Sequence, residues 1–173
     1  QIVSEPPTKQ LTVNVRTFDQ LLAVKEILEE NNIALRRLYV EGDLLTGSHA
    51  EEATKLLLSL KDRVDIYPVL PYIVRKRDDG YLKKLLDLLS EPDTLYQGCM
   101  VRSLEGYAYL KENGYKGRIS ADAGFYIWNR RTLEYWQHKL YSFCLPWELN
   151  AGEQRTLLSS CNKGFGEKII YGH

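Results

Sequence analysis

The chain has 173 residues, the length of one ordinary domain, and its 44% of hydrophobic and 27% of charged residues are typical of a globular protein. The 23 Lys and Arg residues balance the 23 Asp and Glu residues, which argues against a dedicated DNA clamp, because such a protein carries a basic excess. The longest apolar stretch, residues 64–74, contains one aspartate and two prolines and is too short for the roughly 20 residues of a membrane helix. No signal peptide begins the sequence, so no membrane partner is predicted.

Periodic apolar residues predict alternating strands and helices in the first part of the chain. Residues 1–9, with two consecutive prolines, are typical of a linker. Thr17 with Gln20, and Ser48 with Glu51, form capping-box patterns that predict two helix starts. Strands are predicted at 11–16, 34–40, 64–74 and 94–101, and helices at 18–31, 48–61, 80–89 and 103–113.

The same alternation continues to the end of the chain. A strand is predicted at 117–121, and Asn129 is expected to cap a helix that reaches about residue 141. A strand at 143–145 follows, and Asn150 with Glu153 predicts a capped helix to residue 160. The last predicted strand is 168–171. Since Gln1 is not an initiator methionine and the chain stops near a strand, we expect residues 10–173 to be one domain of a longer protein.

Alternating strands and helices predict an α/β fold with a parallel sheet. Seven strands fit an incomplete TIM-barrel-like arrangement, and they also fit an open doubly wound sheet. No GxGxxG and no GxxxxGK[ST] follows a predicted strand, which removes the commonest nucleotide-binding motifs. An incomplete barrel has two unpaired edges, so we expect it to form a homodimer at high concentration.

Three cysteines occur, Cys99, Cys144 and Cys161, and no pair has CxxC spacing. An odd number without that spacing predicts neither a disulfide framework nor a structural zinc site. Cys99 and Cys144 lie in predicted strands, where a free cysteine behaves as a small hydrophobic residue. Free thiols suit a reducing compartment, and the cytoplasm is predicted.

Ligands of parallel α/β folds bind at the carboxyl ends of the strands, so polar residues that follow strands are the candidate site residues. These candidates include Glu41, Asp43, Tyr72, Arg75, Arg102, Asp122, Asn129, Glu148, Asn150 and His173.

Each candidate also has an ordinary structural explanation. Asn129 and Asn150 are good helix caps, and Glu41 with Asp43 could be a metal-binding carboxylate pair or an exposed turn. Arg75 could bind a phosphate or carboxylate, or lie in an exposed charged loop. Burial beside Trp147 would raise the pKa of the Glu148 carboxyl and suit it to general acid or base catalysis.

Four segments of the second half together resemble one family. Their letters are VRSLE at 101–105, ISADAGFYIWN at 119–129, LPWELN at 145–150 and IIYGH at 169–173. In this order and spacing they resemble motifs of the U32 peptidases, or collagenase-like peptidases. The match is to the C-terminal barrel-like region of the long bacterial members, and it covers a little under half of the chain.

This resemblance implies a TIM-barrel-related fold and a hydrolase whose mechanism class is unassigned. It selects Glu148 and Asp122 as catalytic candidates. The candidates for substrate binding are Arg75, Arg102, Asn129, Asn150 and His173. The last of these stands where long members usually have arginine.

Other members of the family resemble hydroxylation enzymes that act on transfer or ribosomal RNA and carry iron–sulfur clusters. Their cluster cysteines follow the strand that matches residues 169–173, so we expect no cofactor in this segment and a possible cluster in the parent protein. Three functions stay open: a peptidase-like hydrolase domain that need not be active alone, part of an RNA hydroxylase, and a non-catalytic substrate-binding or interaction domain. The expected partners are the rest of the parent polypeptide and a peptide or RNA substrate.

Overall fold

A curved sheet of seven parallel strands organises the protein. The computed structural model describes residues 10–31, 33–75, 78–160 and 166–172. The strands are β1 (Leu11–Val15), β2 (Leu35–Glu41), β3 (Asp65–Val69), β4 (Gly98–Val101), β5 (Arg118–Ala121), β6 (Ser142–Cys144) and β7 (Gly166–Glu167). They pair in chain order from β1 to β7, and every pair is parallel. A doubly wound sheet reverses its strand order part-way, so this sequential order confirms the TIM-barrel-like alternative, as an open and incomplete barrel.

Helices alternate with the strands. They are α1 (Phe18–Glu30), α2 (Gly42–Thr46), α3 (Ala50–Leu60), α4 (Asp79–Ser90), α5 (Leu104–Glu112), α6 (Arg130–Trp136) and α7 (Ala151–Ser159). Among the described residues no helix is long and apolar enough to cross a membrane.

Local capping chemistry fixes several helix starts. The predicted capping box of α1 is confirmed, since the Thr17 hydroxyl accepts from the Gln20 backbone N–H and the Gln20 side chain accepts from Thr17. The box of α7 is likewise confirmed at Asn150 and Glu153. The predicted box at Ser48 is wrong, because α3 begins at Ala50 and no side chain caps it. The short helix α2 has no counterpart among the predictions.

Two strands end earlier than predicted, each close to a proline. Strand β3 ends at Val69, because Pro71 has no N–H to continue the ladder toward residue 74. Strand β6 ends two residues before Pro146, and its partner β7 stops at Glu167. The prediction of a last strand at 168–171 is therefore wrong. Helix α6 also ends at Trp136, short of the predicted residue 141.

The two faces of the sheet differ in polarity. Successive side chains of a strand point to opposite faces. In β2, Leu38 and Val40 are fully buried in the apolar core between sheet and helices. The intervening Arg37, Tyr39 and Glu41 face the interior of the curved sheet. The incomplete barrel therefore has an interior lined largely by polar and aromatic side chains.

A group of four buried or half-buried side chains, which we call the Arg37 cluster, lies in this interior. It comprises Arg37, Tyr39, Ser142 and Glu167. The Arg37 Nη1 atom lies 2.7 Å from Tyr39 Oη, 2.9 Å from Ser142 Oγ and 2.5 Å from Glu167 Oε1. The Tyr39 hydroxyl also donates to Glu167 at 2.8 Å. These contacts join β2 to β6 and β7 across the interior, and no strand pairing does so among the described residues.

Aromatic rings surround the same guanidinium. The Arg37 Cζ atom lies 4.5 Å from the ring centroid of Tyr67 and 5.3 Å from that of Tyr141. Burial lowers the pKa of Arg37, but Tyr39 and Glu167 more than offset this and raise it above its ordinary value. The Arg37 guanidinium thus keeps its positive charge inside the sheet, opposite the carboxylate of Glu167.

Cys99 and Cys144 are buried free cysteines, as predicted. Burial raises the pKa of both thiols to about 12, and the carboxylates of Asp122 and Glu167 add to the effect at Cys144. Cys161 lies outside the described residues. Tyr107, Tyr109 and Trp136 pack against the core, whereas Tyr135 is 59% exposed.

We expect these thiols to react slowly with labelling reagents in the folded protein. We also expect them to make the stability of the protein fall at alkaline pH. In a Cys161→Ser variant at pH 8, an aromatic disulfide reagent should react at least about 100-fold more slowly than in urea, because the thiolate is the reactive form. A folded-state pKa above the unfolded value near 9 means that stability is present below pH 9 and is lost as the pH rises toward 12. Thermal midpoints from pH 8 to pH 11 measure this loss. Rapid labelling of the folded variant would contradict the prediction.

Candidate functional site

Three charged side chains meet at the carboxyl ends of strands on the interior face. Glu41 is the last residue of β2, Arg102 follows β4 and Asp122 follows β5. Glu41 lies on the same face of β2 as Arg37, four residues nearer the carboxyl end of the strand. With Tyr72, from the segment after β3, the three charged side chains form what we call the Arg102 cluster.

The carboxylates hold the guanidinium on two sides. Arg102 donates from Nη1 to Glu41 Oε2 at 2.8 Å and from Nη2 to Glu41 Oε1 at 2.5 Å, a bidentate pair. Its Nε donates to Asp122 Oδ2 at 3.1 Å. The Arg102 side chain is only 8% exposed, against 15% for Glu41 and 13% for Asp122. Each of the three guanidinium nitrogens therefore already has a carboxylate partner.

Tyr72 covers the guanidinium from the solvent side. The Arg102 Cζ atom lies 4.3 Å from the ring centroid, and the hydroxyl donates to Asp122 Oδ2 at 3.3 Å. Burial and the Asp122 carboxylate raise the pKa of Tyr72, although Arg102 lowers it. The phenol thus stays a hydrogen-bond donor at neutral pH. The residue as a whole is 52% exposed, so part of it remains open to solvent.

Arg102 keeps its charge in this setting. Burial lowers the pKa of Arg102, but hydrogen bonding to Glu41 and the charges of Glu41 and Asp122 more than offset this and raise it. Two carboxylates against one guanidinium leave the ion cluster with one negative charge.

A third carboxylate stands beside the cluster on α2. Burial and the Asp43 carboxylate, which accepts from the Tyr81 hydroxyl, raise the pKa of Tyr81, and Glu41 contributes further. Gly42 permits this approach, because a Cβ there would lie within 2.7 Å of Leu85 Cδ1 and even nearer to the Tyr81 hydroxyl. Exposed Asp43 therefore adds negative charge to the same edge of the sheet.

Two exposed aromatic rings lie in the loop that packs against the site through Gly124. The loop after β5 turns back at Tyr126, whose φ of 57° lies in the left-handed region. The Tyr126 and Trp128 rings are parallel within 3° with centroids 6.1 Å apart, and they are 49% and 42% exposed. A Cβ at Gly124 would lie 3.3 Å from Tyr72 Cε1, so this loop packs against the ring that covers Arg102.

The structure brings together two of the predicted site residues, Arg102 and Asp122. Besides its contacts to Arg102 and Tyr72, Asp122 accepts from the Ala123 backbone N–H at 2.7 Å and begins a single turn of 3-10 helix. Tyr72 and Glu41, both noted after strand ends in the sequence, join them. The carboxylate of Glu41 binds Arg102, which gives it a partner that neither the metal-pair nor the turn interpretation included.

The other predicted site residues lie elsewhere. Glu148 and neighbouring Trp147 are exposed, so the burial on which the acid–base hypothesis depended is not met. Asn129 and Asn150 are the caps of α6 and α7, and their side chains accept from helix N–H groups. Arg75 is exposed.

His173 lies outside the described residues. Within those residues no group of three or more His, Cys, Asp or Glu is arranged to hold a metal ion. The iron–sulfur cluster expected of a parent protein stays a prediction.

A scan against protein-family models found no match, and searches of curated proteins and of solved structures found none either. The resemblance to U32 peptidases therefore stays a prediction that rests on the four sequence segments.

Proposed function

We propose that this chain is a barrel-like domain of a U32-peptidase-like protein and that it binds peptide substrate at the Arg102 cluster. One observation carries the proposal. The segment VRSLE contributes Arg102 and the segment ISADAGFYIWN contributes Asp122, and these two side chains are joined by a 3.1 Å hydrogen bond. Two of the segments that carry the resemblance thus build one site, at the edge where parallel α/β folds bind ligands.

Substrate binding is the task that this geometry suits best. The carboxylates of Glu41 and Asp122 are held rigidly by Arg102, and each carboxylate has about four acceptor positions. Two donors reach Glu41 and three reach Asp122, which leaves acceptor positions for N–H groups of a ligand. Arg102 acts in this scheme as a positioning residue, and its carboxylate partners contact the ligand.

A nucleophilic role is not supported at the described cysteines. Cys144 lies near the site, but its buried thiol has a pKa of about 12 and is not the thiolate that attack requires. We therefore assign binding to this chain and propose that the rest of a parent polypeptide completes any catalytic centre. The RNA-hydroxylase alternative predicts a different ligand and is an outcome of the test below.

Asp122→Asn should weaken peptide binding about tenfold, because it removes a charge from the site with little change in shape. Fluorescence anisotropy of labelled gelatin peptides measures the dissociation constant. Asp87→Asn is the matched control, since Asp87 is exposed on α4 and should leave binding unchanged. Equal affinity of the wild type and Asp122→Asn would overturn the proposal. Tighter binding of single-stranded RNA than of peptide would favour the RNA alternative instead.

A further inference from the structure

We propose that the peptide presents a basic side chain, an arginine or a lysine, to the Arg102 cluster and the neighbouring aromatic rings. This inference deepens the proposed function and rests on it. It identifies the chemistry of the group that enters the site: a guanidinium or ammonium cation that contacts carboxylates on one side and aromatic faces on the other.

Charge complementarity is the first argument. The carboxylates of Glu41 and Asp122 both contact a single guanidinium, that of Arg102, which leaves one negative charge in the ion cluster. Partial burial strengthens their attraction for a cation, because the local dielectric is lower than in water. A cationic side chain would neutralise this excess.

An anionic ligand does not fit the same site. A phosphate or carboxylate would need donors from Arg102, and three of its five N–H groups already donate to Glu41 or Asp122. The Tyr72 ring also lies over the guanidinium face. An anion could reach only the two remaining N–H groups of a side chain that is 8% exposed, and it would meet the excess negative charge of Glu41 and Asp122. The excess negative charge therefore favours a basic peptide over RNA.

The exposed aromatic rings are the second, independent argument. Tyr126 and Trp128 are stacked and half exposed in the loop that begins at Asp122. The same loop packs against Tyr72 through Gly124. Cations are attracted to the faces of tyrosine and tryptophan rings within about 6 Å of the centroid. Carboxylates and open aromatic faces together are the groups that recognise a guanidinium or ammonium ion.

Two blocked tripeptides test the inference directly on the wild-type protein. Acetyl-Gly-Arg-Gly-amide and acetyl-Gly-citrulline-Gly-amide have nearly the same shape, and only the first is charged. We expect the arginine peptide to bind at least about tenfold more tightly by isothermal titration calorimetry. Raising the salt concentration should weaken the arginine peptide and leave the citrulline peptide almost unaffected.

Variants locate the contact on the aromatic rings. Trp128→Ala should weaken the arginine peptide about three- to tenfold, since it removes an exposed ring face and little core packing. Tyr135→Ala is the control, because Tyr135 is also an exposed aromatic residue (59%) but lies on α6 and not in the loop that begins at Asp122. Tyr135→Ala should leave the affinity unchanged.

Equal affinities for the arginine and citrulline peptides would overturn the inference, as would tighter binding of the corresponding glutamate peptide. Failure of the inference remains distinguishable from failure of the proposed function. If gelatin peptides bind in an Asp122-dependent manner while arginine and citrulline peptides bind alike, the peptide site stands and only its preference for a cation is wrong. If Asp122→Asn has no effect on any peptide, both are wrong.

Discussion

Replacement of Glu167 by leucine should lower the free energy of unfolding by about 3–5 kcal/mol, because it leaves a buried guanidinium without its carboxylate. The Arg37 side chain is 2% exposed and that of Glu167 is 20% exposed. Glu167 also accepts from Thr12, Tyr39 and Ser142, so the substitution breaks its contacts with four residues. Urea unfolding followed by circular dichroism measures the change.

An exposed ion pair provides the control that separates the effect of burial from the effect of charge. Glu134 forms an ion pair of 2.7 Å with Arg130, but both side chains are exposed on α6. Glu134→Leu should change the free energy of unfolding by no more than about 0.5–1 kcal/mol, the usual range for surface ion pairs. If Glu167→Leu cost no more than this control, the Arg37 cluster would not be what joins β2 to β7.

A double variant tests the cause of the loss. Buried ion pairs often contribute little compared with apolar residues of similar size, whereas a single unpaired buried charge is costly. Arg37→Met combined with Glu167→Leu should therefore recover about half or more of the stability lost in Glu167→Leu. A double variant as unstable as the single one would show that packing geometry, and not the unpaired charge, accounts for the loss.

Local sequence patterns predicted the order of strands and helices, but they did not predict the contacts in the barrel interior. Helix faces and capping residues such as Thr17 and Asn150 act over a few positions, so their patterns predicted α1 and α7 well. The Arg37 cluster joins residues up to 130 positions apart. Within β2 only the alternation of Arg37, Tyr39 and Glu41 with apolar neighbours hinted at a polar interior, and it did not specify Glu167 as the partner.

For the candidate site as well, the sequence predicted where the residues lie but not which residues they contact. Because parallel strands bring their carboxyl ends to one edge, the sequence predicted that Arg102 and Asp122 would lie there. It could not predict that Arg102 would be bound on two sides by carboxylates, since this depends on the register of three successive strand pairs, from β2 to β5. Tyr81 was missed altogether, because it lies on α4 with the spacing of an ordinary core residue.

Replacement of Arg102 by methionine should destabilise the protein as much as Glu167→Leu does. Here the cause is two carboxylates that lose their cation. The carboxylates of Glu41 and Asp122 are mostly buried and would face each other without the guanidinium. We expect the free energy of unfolding to fall by about 3–5 kcal/mol. Arg131→Met, on the exposed surface of α6, should change it by no more than about 0.5 kcal/mol.

Arg102→Lys distinguishes a need for charge from a need for geometry. A lysine ammonium restores the positive charge but cannot make the bidentate contact to Glu41 and the side-on contact to Asp122 at once. Urea unfolding should therefore place this variant between the wild type and Arg102→Met. If Arg102→Lys matched the wild type in stability and in affinity for the arginine peptide, charge alone would be sufficient. If Arg102→Met were as stable as the wild type, the two carboxylates would not depend on Arg102, and its assignment as the residue that positions them would be wrong.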